Sequence, residues 1–302
     1  MAKQLTVKNT FLFSTGGVPV PGDVITTNND VIINPKPKTI EYEEKGNGAT
    51  GNAKTQTIPD WTTADFSVET KAKSSGALGV APSIAELLKA SGLSETIVAS
   101  TSVTYAPTST FVQGTGKAYL DGHVRSITGV AADFSFGGKV GEMVTFNFSL
   151  KGFTTLADTA EANPAVTLDT NVNFIIESIT AITVGGAELD LESFEFSKGN
   201  AIQETYATNV KEFYISDHKP TVKVSAVKTN GNSEHWNELE ANTKKSVVVT
   251  LGSVAGEKLV FTAPFCNPMD TSEADSSGIM MYDRTWLSEN SVGNDNFSFV
   301  YQ

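Results

Sequence analysis

Alternation of apolar and polar positions dominates the chain. Residues 130–136, VAADFSF, put Val130, Ala132, Phe134 and Phe136 on one side and Asp133 and Ser135 on the other. Residues 144–150, VTFNFSL, set Val144, Phe146, Phe148 and Leu150 against Thr145, Asn147 and Ser149. A period of two marks a half-buried strand. The intervening GGKVGE reads as a turn, so the two runs predict an antiparallel hairpin. The pattern recurs in ESFEFS (192–197), TVKVSA (221–226), KLVFTA (258–263) and NFSFVY (296–301). Strands with one apolar and one polar face predict antiparallel sheets or a sandwich.

Two stretches leave that period. In residues 83–91, Ser83 and Glu86 have capping-box spacing, Ile84, Leu87 and Leu88 share a helical face, and Gly92 stops the turn. A second helix is expected near 233–244. Glu234 lies in its first turn and Lys244 and Lys245 at its end, as the helix dipole favours, with Trp236 and Leu239 on its buried face.

Both halves then read in one order: strands, a helix, a strand (TIVAST 96–101, SVVVTL 246–251) and a closing strand pair. Order and spacing point to duplication. The expected division is a first domain over 1–160, with an N-terminal arm and a long hairpin 38–60, a polar linker 161–171, and a second domain over 172–302. Gly-rich tips lie at 45–54 and 228–234. A long polar hairpin adds little to its own core and is suited to meeting a partner or to standing in solvent.

The 302 residues suffice for two domains or one large β domain. Charge narrows the function. With 22 basic against 34 acidic residues the net charge is -12, which disfavours gripping nucleic acid. No apolar run approaches a membrane span, and the N-terminus lacks the pattern of a signal peptide. A single cysteine, Cys266, allows no internal disulfide and agrees with a cytoplasmic origin.

Candidate chemistry is sparse. His123, His218 and His235 form no HExxH or other ligand spacing. Cys266 has no CxxC partner and reads as a small, semi-buried residue. GTGKAY (114–119) lacks a first glycine at the phosphate-loop offset and has Ala118 where a Ser or Thr would hold magnesium. Pairs such as Glu43 and Glu44 read as a wet strand face. The expectation is no enzyme, no metal and no cofactor.

Residues 64–109, ADFSVETKAKSSGALGVAPSIAELLKASGLSETIVASTSVTYAPTS, closely resemble the tail tube proteins of long-tailed bacteriophages, the siphophage type. The matching text is the strand 65–70, the helix region 81–93 and the strand 102–107. Residues 116–153 also look like that family's central hairpin. The resemblance covers about half of the chain. The second half follows mainly by its repeated layout.

The resemblance implies a mainly β fold: two tandem antiparallel β-sandwich domains, each flanked by one helix, oligomerising into a β-barrel tube. The helix would cover an outer flank where a sheet edge would stand open. It implies a structural virion protein whose stacked rings form a hollow tail through which DNA is ejected. The implied place is the virion tail, assembled in the host cytoplasm. The implied partners are copies of itself, a trimer of pseudo-sixfold symmetry ahead of a hexamer, with tail tip or initiator, tape measure and tail terminator proteins. DNA would pass without specific binding.

On this reading the lumen-facing acids are Glu41, Glu43, Asp65, Glu69, Asp133 and Glu195. The inter-ring contacts are Asn47, Gly48, Thr50 and Asn52, with the segment 1–36. Two other readings stay open: a subunit of a phage-derived injection tube, and a carbohydrate-binding β-sandwich. The scatter of Trp61, Trp236 and Trp286 over different elements argues against a sugar platform.

Overall fold

The computed structural model describes residues 8–44, 53–177, 181–229 and 235–302. The first half contains β1 (Asn9–Ser14), β2 (Val24–Ile25), β3 (Lys36–Glu43), β4 (Ala53–Lys71), α1 (Ala85–Ala90), β5 (Leu93–Val98), β6 (Ser102–Pro107), β7 (Gly114–Leu120), β8 (His123–Lys139), β9 (Thr145–Thr154) and β10 (Thr159–Ala160). The second half contains β11 (Ala181–Val184), β12 (Ala187–Glu188), β13 (Leu191–Ser197), β14 (Asn200–Ala207), β15 (Val210–His218), β16 (Thr221–Val227), α2 (His235–Glu240), β17 (Lys245–Leu251), β18 (Leu259–Ser276), β19 (Ile279–Ser288) and β20 (Ser298–Tyr301). The chain is mainly β, built of large antiparallel sheets. Among the described residues all strands but one hairpin, β14–β15, join a single network.

The pairing order of the first half recurs in the second. First comes β4–β9–β8–β7–β1, with β2 on β1 and β10 on the start of β8. Then comes β16–β19–β18–β17–β11, with β12 on β11 and β20 on the start of β18. Each half also inserts a hairpin ahead of its central strand: β3 with the first part of β4, and β14 with β15. The two hairpins share a register shift near the base, between Pro37 and Lys38 in one and between Ala201 and Ile202 in the other.

The strand ahead of each hairpin differs between the halves. In the second half β13 lies along β16. In the first half, residues 28 and 29 take the matching edge of β4. The Asn28 N–H donates to the Glu69 carbonyl at 2.7 Å. The Asn29 amide donates to the Ser67 carbonyl at 3.0 Å and accepts from the Glu69 N–H at 2.8 Å, as a peptide group would.

Among the ties between the halves are bridges from Asn173, Ile175 and Ile176 to Lys73, Met143 and Val140, and two strand pairings. The outer edge of β13 pairs with the end of β8, Glu195 opposite Gly137 and Ser197 opposite Ser135. The C-terminal β20 pairs with β6, Phe299 opposite Tyr105. The alternation explains the core between them. Phe134, Phe136, Phe146 and Phe148 point inward from β8 and β9 and meet Phe194, Phe196, Phe261 and Phe299 from the second half. Ring centroids lie 4.6 Å apart for Phe136–Phe146, 5.3 Å for Phe136–Phe194 and 5.3 Å for Phe136–Phe299. Gly137 is required by the seam, since a Cβ there would lie 2.4 Å from the Phe194 carbonyl oxygen.

Two helices form near the expected places, with corrections: α2 ends at Glu240, so Lys244 and Lys245 lie beyond it and Lys245 opens β17, while Glu234 lies outside the described residues. α1 buries Leu87 and Leu88 and stops at Gly92, whose φ is +77°. Ser83 does not cap it, because the helix begins at Ala85 and its N-cap, Ile84, makes no side-chain bond. Glu86 instead accepts from the Thr15 N–H at 2.8 Å and from the Thr15 hydroxyl, which ties the helix to the N-terminal arm. In α2 the buried residue is His235, while Trp236 is exposed. His235 stacks on Tyr282 at 5.0 Å. The glycines of 114–119 form no phosphate loop; they lie in β7, where a Cβ on Gly114 would fall 2.1 Å from the Phe13 ring.

Candidate functional site

The repeated strands build one continuous polar surface. Antiparallel partners share a face, so register reads it directly. One row runs Glu69, Asn147, Ser135, Ser197 and Thr221 across β4, β9, β8, β13 and β16. The next runs Lys71, Thr145, Gly137, Glu195, Lys223 and Thr285 and reaches Asp270 on β18. The opposite face of these strands is the aromatic core. Where Gly137 leaves no side chain the polar face is hollowed, an open depression of about 410 Å³ lined by Ser135, Asn147, Glu195 and Lys223.

The acids anticipated from sequence divide in two. Asp65, Glu69, Asp133 and Glu195 come together on this face. Glu41 and Glu43 lie on the exposed β3, beyond it. Lys71, Lys139, Lys151 and Lys223 alternate with the acids, so the surface is mixed in sign. Asp65 pairs with Lys36 at 2.8 Å, and the Glu69 carboxylate accepts from the Asn28 amide at 3.2 Å. Glu195 stays exposed beside Lys223. Asp133 is half-buried and accepts from the Asn200 N–H at 2.9 Å. Burial pushes its carboxyl up, against the hydrogen bonds and the Lys198 charge that favour ionisation. The tip residues Asn47, Gly48, Thr50 and Asn52 lie outside the described residues.

Lys198 was not anticipated. Only 2% exposed, it donates to the carbonyls of Ser91 and, at 3.1 Å, Gly92, where α1 ends. Burial pulls its amine down to about 7, against the opposing pull of Asp133. The Asn200 amide adds bonds to Ser91 and Ala132 at 2.9 and 2.8 Å. A polar lock thus spans both halves beside the β8–β13 seam.

The hairpin β14–β15 crosses β8 and β9 beside the seam, on the side of Asp65, Asp133 and Lys151. Phe213 packs on Phe153 and Ala131, with ring centroids 4.8 Å apart for the two phenylalanines. Tyr206 stacks on Trp61 at 4.1 Å with the planes 2° apart. Its hydroxyl donates to Asp60 at 3.0 Å, and Lys211 reaches the same carboxylate at 2.9 Å.

His235, His218 and the cysteine are held in structural contacts. Glu273 gathers Lys228, Trp236 and His235 on one carboxylate, at 2.8, 2.8 and 2.9 Å, and its pKa falls to about 2, chiefly through Lys228 and Trp236. His218 meets the Asn296 amide at 3.0 Å. Cys266 is buried, and burial pushes its thiol up to about 12, far from a nucleophile's range. Among the described residues no cluster of His, Cys, Asp and Glu could hold a metal ion, and no helix is long and apolar enough to cross a membrane.

A family profile described as phage tail tube protein matches residues 14–290. No curated protein matches the chain.

Proposed function

The chain belongs to the phage tail tube family, and from that premise we propose that it forms the hollow tail of a long-tailed, sheathless phage and conducts DNA. The family gives it a structural role, a place in the virion tail and self-assembly into a tube. The finer reading is that residues 1–160 and 172–302 are two tube domains joined by 161–171, and that three copies make a ring of pseudo-sixfold symmetry.

The observation that carries it is the repeated pairing order, with its continuous polar face running through the β8–β13 seam. Such a face lines the lumen. Its Ser, Thr and Asn side chains keep it wet, and the acids beside each lysine leave no cationic stripe for phosphate to displace counterions from. DNA then slides without being held. The tip residues Asn47, Gly48, Thr50 and Asn52 join ring to ring, and tip, tape measure and terminator proteins bound the stack. Assembly takes place in the host cytoplasm.

Negative-stain microscopy with light-scattering mass tests this. Hollow tubes, or a particle of three times the 32.1 kDa chain mass, support it. Six times that mass replaces the trimer with a hexamer. A chain that stays monomeric at high concentration with tail-tip components added overturns it.

A further inference from the structure

The strap on β8 and β9 has a twin whose apolar side chains on β3 stay exposed. β3 and the first part of β4 match β14 and β15 pair for pair from the shared register shift. Tyr42 opposite Lys54 corresponds to Tyr206 opposite Lys211, and Lys38 opposite Ile58 to Ile202 opposite Ile215. The face of β14–β15 that carries Ile202, Tyr206 and Phe213 is packed on β8 and β9, and Phe213 is 4% exposed. The matching face of the first hairpin carries Ile40 and Tyr42 at 50% and 39% exposure, and all of β3 is exposed.

The surface that would receive it also exposes apolar side chains. Ala132 faces Leu150 as Pro268 faces Trp286, so Ala131 under the strap corresponds to Asn267 on β18. On either side of Asn267, Phe265 and Met269 point outward at 37% and 46% exposure, with Leu287 across the strand pair. The edge beside this patch is open too. The end of β8 pairs with β13, but among the described residues 272–276 of β18 have β19 on one edge and no strand on the other. The hairpin exposes Ile40 and Tyr42 among Lys38, Lys54 and Gln56, the strands that would receive it expose Phe265 and Met269 around the Asn267–Glu289 bond, and an open edge lies beside them.

We propose that the β3–β4 hairpin of one copy straps the Phe265–Met269 face of a second copy, as β14–β15 straps β8–β9 within each chain. Ile40, Tyr42 and Ile58 cover Phe265, Met269 and Leu287, and Lys38 and Lys54 approach Asp270 at the rim. Donor and acceptor lie on opposite halves of the chain, so the contact is head-to-tail and generates a closed ring when its rotation matches that of the internal seam. The inference names the surfaces behind the tube-subunit reading and rests on it.

Complementation tests it. One variant carries Ile40→Asp with Tyr42→Asp, and the other Phe265→Asp with Met269→Asp. Exposed positions leave the fold intact, checked by unchanged unfolding midpoints. Each variant alone should be monomeric. An equimolar mixture has one good hairpin and one good patch, and should give a particle of twice the chain mass that grows no further. If wild type assembles while the mixture yields no dimer, or if either variant assembles like wild type, the seam is wrong and the tube reading stands. If wild type never assembles, both fall.

Discussion

The Lys198 amine of the second half donates to the Gly92 carbonyl of the first, at the C-terminal end of α1, from a site closed to solvent. Its folded amine titrates near 7, against an ordinary value of 10.5. Below pH 7 it is charged in both states, and above 10.5 neutral in both. Between them the unfolded chain binds more protons, so this site stabilises the fold as pH rises. The slope is at most about 1.4 kcal/mol per pH unit. Urea unfolding at pH 7, 8 and 9 should show that rise in wild type and a flatter line in Lys198→Met.

The depressed carboxyls carry the same sign into the acid range. Burial raises the Glu86 carboxyl, but bonds from Lys89 and Thr15 outweigh it and the pKa is lowered. Burial likewise opposes Lys245 and Arg284 at Glu238, and they win. Glu273 is lowered to about 2 by Lys228 and Trp236. A depressed carboxyl stabilises above its ordinary value of 4.5 and loses that contribution as pH falls towards its folded pKa. Thermal scans should therefore show falling midpoints below pH 4.5, and Glu273→Gln should fall less steeply.

Although the pairing order repeats, the halves share one aromatic core. Calorimetry should give a single transition with equal van't Hoff and calorimetric enthalpies. Phe136→Ala, which empties the point where Phe146, Phe194 and Phe299 converge, should lower stability by about 3–5 kcal/mol without splitting the transition. Two resolved transitions would mean that the seam is weak.

Gly137→Ala tests the seam directly. The added methyl meets the Phe194 carbonyl, so β13 must shift from β8. A loss of about 1–3 kcal/mol is expected. Hydrogen exchange should quicken at β13 before β16. Unchanged protection there would contradict the pairing.

Much of this fold was legible as alternation. VAADFSF and VTFNFSL pair as read, Phe134 opposite Phe148 and Phe136 opposite Phe146. Their period tells which face is buried and is silent on which edge meets which, so the double pairing of β13 was hidden. Lys198 did leave a signal. The period that turns Phe194 and Phe196 inward also turns Lys198 inward, and an inward lysine demands acceptors. Glu86 had capping-box spacing, but its partner Thr15 follows β1, far away in sequence, and tertiary bonding took the carboxylate. In α2 the i, i+3 spacing favoured Trp236. The helix is anchored through Glu273 on β18, a strand position the helix text cannot report. Of the six candidate lumen acids, the four on the second part of β4, on β8 and on β13 share the polar face, while Glu41 and Glu43 stand out on β3.

β8 is 17 residues long and β18 is 18. Each begins among one set of neighbours and ends among another, as β8 leaves β7 and β10 for β13. One unbroken backbone therefore runs through two groups of partner strands like a beam through two bays. Shear between those groups is carried by covalent bonds, where side-chain contacts alone would slip. A wall made of such members is stiff within each copy, and its bending is left to the contacts between copies.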